Sequence, residues 1–344
     1  MVEQRTNRTE AIQIAFTYMG TIVGAGFATG QEILQFFTKY GAVASMTILI
    51  ATMLFIALGQ KLMLLAKKIS ATSYEDLNKM LLGERAGKYI SFFMLIVLLG
   101  VSSVMLAGSG TILYEHWNIP YQVGLLFTAL ICFFVLRKGM NAILTVNSIV
   151  VPLMLIFTAI VIVNTLQQPT SGQIFELRNQ APVWSALLSP FLYTAFNLAL
   201  AQAVLVPLGA KASNNNTIKL GAILGGVGIG FMLLAGHFAL SAHMPDIARL
   251  AIPMGGIANQ LGTIIQFGYI IIIFSEIFTT LIADVYGLTL QLQKRVPWSH
   301  TLLLAVILFV CFFISQIGFE PLLSTLYPLF GFISLIWLIQ LLRK

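Results

Sequence analysis

Apolar residues run along this chain in blocks of roughly 20, the length a helix needs to cross a bilayer, with short polar stretches between them. Ten blocks can be drawn, at about 11–38, 42–66, 88–115, 121–137, 141–166, 183–209, 216–243, 260–290, 299–316 and 321–341. They are apolar all round, so periodicity does not separate their faces. Lipid offers the backbone no hydrogen-bond partner, so runs this long are helices. The first ten residues are polar and the run behind them is too long for a cleaved signal peptide, so it is expected to stay as the first span. Of the longer connections, 67–87, 167–182 and 244–259, the last reads "MPDIARLAIPMGGIAN" and suggests a short external hairpin or lid.

Composition agrees with this pattern. Hydrophobic residues make up 58% of the 344 positions and charged residues 9%, against about 25% charged in a soluble domain. The net charge of +7 is distributed by topology. With the N-terminus inside, every Lys and Arg except Lys39, Arg178 and Arg249 falls on the cytoplasmic side, as the positive-inside rule requires. The expectation is a multi-pass protein of a bacterial-type plasma membrane, both termini cytoplasmic, with the lipid bilayer as partner and no nucleic acid. Cys132 and Cys311 sit in apolar runs and read as small buried hydrophobes.

Three acids, Glu32, Glu276 and Asp284, lie within spans. An ionisable group there is expensive and marks function by default. Glu276 falls about halfway along span eight, in "FSEIFTTLIAD", with Ser275, Thr279 and Thr280 within a turn. Hydroxyls beside a carboxylate suit a sodium ion, or a proton carried by the carboxyl itself. Gln31 and Glu32 read either as lining an outer vestibule or as a structural helix-to-helix hydrogen bond, and Asp284 as a gate ion-pair partner or an interfacial group.

"MGTIVGAGFATGQE", residues 19–32, puts Gly20, Gly24, Gly26 and Gly30 inside span one. The third position of a G-x-G-x-x-G loop is Thr29 and no strand precedes it, so a nucleotide loop is rejected. Close helix packing and a deliberate break remain. A break frees N–H groups for an anion and carbonyls for a cation, as in secondary transporters with discontinuous helices. An inverted repeat of five plus five helices, 11–166 and 183–341 within one domain 1–344, then requires a second irregularity in span six. Span six holds Ser189, Pro190, Tyr193, Thr194 and Asn197. The fold class expected is an all-α polytopic membrane protein of ten transmembrane helices with helices 1 and 6 broken. The glycines of span seven, Gly221, Gly225, Gly226 and Gly230, read as packing.

"GTIVGAGFATGQEI" together with "FSEIFTTLIADVYGL" resembles the YkvI family of bacterial membrane proteins, distant relatives of the amino acid–polyamine–organocation transporters of leucine-transporter fold. The resemblance implies that the amides of Gly24, Ala25 and Gly26 bind a substrate carboxylate. It implies that the carbonyls of Gly20 and Val23 hold sodium against span eight, with Ser275 as a hydroxyl ligand. Tyr193 to Asn197 fall where span six lines the substrate pocket. Phe27 stands where relatives with a second ion carry an amide, so the likeness does not extend to a second ion. Span five has no lysine to replace sodium, and the added acid Glu276 leaves proton coupling open.

The function expected is a secondary transporter of a small, carboxylate-bearing solute, coupled to sodium or proton. The alternative is a ligand sensor on a transporter scaffold, as spore germinant-receptor membrane subunits are. No signalling domain is visible, and a protein partner is not specified. No HExxH or GxSxG motif and no catalytic aspartate pair points to an enzyme, and no cofactor is implied beyond the ion. His237 and His243 lack further ligands for a metal.

Overall fold

A computed structural model describes residues 6–177, 182–250, 252–318 and 334–343. Every regular element among them is helical. The chain opens with α1 (Arg8–Ile22), α2 (Ala25–Ala28) and α3 (Gln31–Phe36), which together fill the first expected span. It continues through α4 (Val43–Lys68), α5 (Tyr74–Leu82), α6 (Glu84–Trp117), α7 (Tyr121–Leu136), α8 (Met140–Leu166) and the short α9 (Gln173–Glu176). The second half holds α10 (Val183–Lys211), α11 (Asn215–Ala242), α12 (Pro253–Gln260), α13 (Thr263–Gln293) and α14 (His300–Ile314). A last apolar helix, α15, covers Ser334–Arg343.

Seven of these helices, α4, α6, α8, α10, α11, α13 and α14, are long and apolar enough to cross a membrane; α7 and α15 are apolar but shorter. Most of the tenth expected span, together with Arg178 and Glu320, lies outside the described residues. Turns fall where the sequence supplies a residue for them. Gly139, at φ +63°, takes a left-handed conformation between α7 and α8 that costs glycine nothing. Asn214 caps α11 by accepting from the Thr217 N–H.

The long helices fall into two packed groups. In one, α1, α4, α10 and α11 lean on each other; in the other, α6, α7, α13 and α14 do. Helix α8 touches α1 and α11 on one side and α13 on the other. The first group is drawn tight by glycine. A Cβ on Gly225 would stand 2.7 Å from Tyr18 Cδ1, and one on Gly226 2.5 Å from Ile56 Cγ1. The small residues of α11 therefore let α1 and α4 approach to backbone contact, the packing expected of span seven.

The expected break in span six is corrected by the structure. Helix α10 runs unbroken from Val183 to Lys211 with Pro190 and Pro207 inside it. A proline removes one backbone hydrogen bond, which a membrane helix tolerates when neighbours supply polar partners. No glycine occurs between Val183 and Leu208 to let the chain unwind. Nearby polar groups stay on the helices: Asn197 Nδ2 donates to Tyr193 O at 3.0 Å, and Ser189 Oγ donates to Phe36 O.

The end at which α1 begins and α10 and α13 finish carries nearly all the Lys and Arg. There α5 clamps the two groups. Its Glu75 meets Lys79 at 3.0 Å and Arg295 at 2.9 Å, and Asp76 meets Lys294 at 2.5 Å. Asn78 receives the Trp337 indole N–H at 2.8 Å and donates to Ser91 Oγ at 3.0 Å. Burial pushes the Glu75 and Asp76 carboxyls up. The hydrogen bonds and charges of Arg295 and Lys79 on Glu75, and of Lys294 on Asp76, outweigh it, and both titrate below their ordinary values.

A group with a depressed folded-state pKa contributes stability above its unfolded value and loses it as pH falls through the folded one. Glu75→Gln should thus cost about 1–3 kcal/mol at neutral pH. The gap to the unmodified protein should close below about pH 4, where the free carboxyls protonate. Thermal unfolding of both proteins across pH 3–7 measures it.

Candidate functional site

The first helix breaks where its glycines are densest. Val23, at φ −82° and ψ 98°, is extended, and its N–H closes the last α1 bond, to Met19 O at 2.8 Å. The next bond, Ala28 N–H to Gly24 O at 2.9 Å, belongs to α2. Between them, the carbonyls of Gly20, Ile22 and Val23 receive no backbone N–H among the described residues. Gly30, at φ +85°, then turns the chain into α3.

Polar side chains converge on this break from two other helices. On α13, Thr280 packs on Gly24: a Cβ there would lie 3.2 Å from Thr280 Oγ1. Thr279 and Thr280 both donate to Glu276 O, at 2.9 and 3.0 Å. Glu276 itself is 0% exposed, and neither carboxyl oxygen has a hydrogen-bond partner among the described residues. On α8, Asn147 is also fully buried with both amide atoms unpartnered. Its Oδ1 would be 2.0 Å from a Cβ on Gly20. Thr17 Oγ1, one turn before Gly20, is a further buried acceptor without a partner.

From α10 comes a second cluster. Tyr193 and Thr194 are fully buried and Asn197 nearly so. Tyr193 is ringed by Phe36, Phe37 and Phe55 at centroid distances of 5.2, 5.1 and 5.9 Å. Its hydroxyl lies against the Glu32 carboxyl. Glu32 folds back over Gly26, where a Cβ would stand 2.3 Å from its Oε1.

The 244–259 connection packs on this region. Met254 N–H donates to Thr29 O at 3.0 Å, and the Gln31 amide donates to Leu250 O at 2.9 Å. Phe27 is buried in an apolar pocket of about 30 Å³ with Met154, Phe157, Met254 and Tyr269. At the basic end a cleft of about 370 Å³ opens between α1, α8 and α10, lined by Glu10, Gln13 and Lys211 as well as Ile14, Met140 and Leu144.

The structure sets Thr280 of α13 against Gly24 and Asn147 of α8 against Gly20, with Glu276 one turn before Thr280; Glu32 stands over Gly26. Ala25 forms the first turn of α2. Ser275 is placed elsewhere: it is half-buried and its hydroxyl donates to Ile271 O at 2.7 Å. Thr280 is the α13 hydroxyl that meets Gly24. Asp284 is buried two turns beyond Glu276 on α13. His237 bonds Thr38 and Ser241 while His243 bonds Gln260, and no group of three or more metal-ligating side chains occurs among the described residues. Asn147 was missed by the sequence reading, although a lone amide in "LTVNSIVV" was its visible signal.

No protein-family model matches the chain. Among solved structures it is similar to MhsT in complex with L-phenylalanine, with a TM-score of 0.68 at 15% identity, covering 94% of this chain and 87% of that one. It is also similar to a substrate-bound, Na+-coupled sialic acid symporter, with a TM-score of 0.70 at 12% identity, covering 96% and 78%. The fold is that of leucine-transporter-type secondary transporters, and these neighbours are transporters rather than enzymes. The chain is 42% identical over 344 residues, 98% of its length and 97% of the relative's, to the uncharacterized membrane protein YkvI of Bacillus subtilis (strain 168). It belongs to the YkvI family of membrane proteins.

Close contact between Gly20 and Asn147 has an energetic signature. Gly20→Ala should destabilise the protein, and Asn147→Ala should relieve that loss by emptying the colliding volume. A double-mutant cycle on melting in detergent should return a coupling of about 0.5–3 kcal/mol, the range for residues in contact.

Proposed function

We propose that this protein is a secondary active transporter of a small, carboxylate-bearing solute, an amino acid or a related compound, coupled to sodium or a proton. Glu276 carries the reading. A fully buried carboxyl whose two oxygens lack partners is too costly to keep as structure alone. Thr280, one turn from it on α13, packs on Gly24 at a helix break where the carbonyls of Gly20, Ile22 and Val23 receive no backbone N–H among the described residues. Oxygen ligands of this kind suit a hard cation, and the carboxyl alone suits a proton.

In this reading the ion enters between the carbonyls of Gly20 and Val23, the Glu276 carboxyl and the hydroxyls of Thr279 and Thr280. The solute carboxylate meets the amides of Gly24 to Gly26, and Tyr193, Thr194 and Asn197 meet its remainder. Gln31 and Glu32 lie toward the lid, and Asp284 toward the opposite gate. The two structural neighbours bind phenylalanine and sialic acid by their descriptions, and both compounds carry a carboxylate.

Ten transmembrane helices arranged as a five-plus-five inverted repeat fit the packing, since spans one and two pack with six and seven, and three and four with eight and nine. Helix 1 is broken and helix 6 is not. Alternating access then moves one group past the other about α8. In this reading the lid contacts close one end and the cleft opens the other; the concentration of Lys and Arg at the cleft end supports a cytoplasmic face there, with both termini on it, in a bacterial-type plasma membrane.

Thermal shift of the purified protein against amino acids and related carboxylates tests this. A solute at 100 times its dissociation constant stabilises the folded state by about 2.7 kcal/mol. Sodium should strengthen the shift, and Thr280→Ala and Glu276→Gln should abolish that gain. If the proton is the coupling ion, sodium has no effect and Glu276→Gln removes the pH dependence of binding. Absence of any solute-induced shift, and of uptake in proteoliposomes, overturns the reading.

A further inference from the structure

The charge balance inside the helix array is one-sided. Glu32, Glu276 and Asp284 are buried at 8, 0 and 3% exposure, and no Lys or Arg among the described residues is buried. Glu276 serves the coupling ion in the function proposed above, and Asp284 lies two turns farther along α13. Glu32 is left with no counter-charge assigned to it.

Its surroundings are built to hold the carboxyl in place. The missing side chain of Gly26 makes room for it, since a Cβ there would meet Oε1 at 2.3 Å and Cδ at 2.8 Å. The Tyr193 hydroxyl lies against it, and three phenylalanine rings fix that phenol in position. Ser189, on the turn before Tyr193, donates to Phe36 O and so pins α10 to α3. The second carboxyl oxygen, Oε2, is buried and lacks a hydrogen-bond partner. Nearby, the break exposes free carbonyls. Acceptors dominate the locus, and an ammonium group has three donors and no acceptor.

We propose that Glu32 binds an amine of the transported solute, so that the solute bears a primary ammonium group and Glu32 is its counter-charge in the membrane. This rests on the transporter reading above and narrows it to amine-bearing solutes, amino acids among them. Burial strengthens such a pair, because charge-assisted hydrogen bonds gain where water is excluded.

Three matched sets of compounds test it on the full-length protein: α-amino acids, the amines left by removing their carboxyl, and the acids left by removing their amine. Binding is read by thermal shift and movement by currents in proteoliposomes. The amino acids and the amines should stabilise the protein, and the deaminated acids should not. Glu32→Gln should weaken amine binding about tenfold or more, the loss expected of a charge-assisted hydrogen bond. Glu32→Asp, which keeps the charge, should retain the preference for amines. Tyr193→Phe, which removes only the phenol oxygen, should weaken binding less than Glu32→Gln does.

Deaminated acids binding as well as their parents, with affinities indifferent to Glu32→Gln, overturn the assignment while leaving the transporter reading intact. No binding and no current with any of the three sets overturns both.

Discussion

A bilayer gives a carbonyl nothing to bond, and this site is built around the carbonyls of Gly20, Ile22 and Val23, which receive no backbone N–H among the described residues. Between Met19 O and Gly24 O the α1 ladder is interrupted. Such a gap is stable only where protein or a transported species supplies the missing partners. Asn147 and Thr280 are brought to that gap by α8 and α13, with the buried Glu276 one turn from Thr280. Each is a polar residue within a membrane-length helix, so its presence follows from the same constraint.

The division into two helix groups gives the gap its mechanical setting. One wall of the locus is α1, tied closely to α11 and α4 by glycine contacts. The other wall is α13, tied to α6, α7 and α14. The helix break thus lies where the groups meet, so relative movement changes the spacing between its carbonyls and the carboxyl of Glu276. At the basic end α5 is held to the end of α13 by ion pairs to Lys294 and Arg295 and also packs on α10 of the other group.

Much of this was legible in the sequence because membrane length and glycine clustering are local signals. Helices α4, α8, α10, α11 and α13 fall on the apolar blocks to within a few residues. The break at Val23–Gly24 was visible because glycine is the residue that tolerates it. Span six misled for the opposite reason. Pro190 marks a possible irregularity, but a proline without glycine beside it costs one bond and leaves the helix whole. The choice between Ser275 and Thr280 was not legible either. Both are hydroxyls on the Glu276 stretch, and only the rotation of α13 against α1 decides which one meets Gly24. Asn147 escaped because its role comes from Gly20, more than a hundred residues away in the chain.

The position of Glu276 near the middle of α13 has an electrical consequence. A positive charge that reaches it from either face has crossed part of the transmembrane field. A full crossing is worth about 2.3 kcal/mol per elementary charge at 100 mV, and a site near the midplane about half of that. The resting voltage of the cell therefore acts on this carboxyl directly. For a coupling ion bound there as proposed, it biases the loading of the site from one face and its emptying at the other, before any concentration gradient is counted.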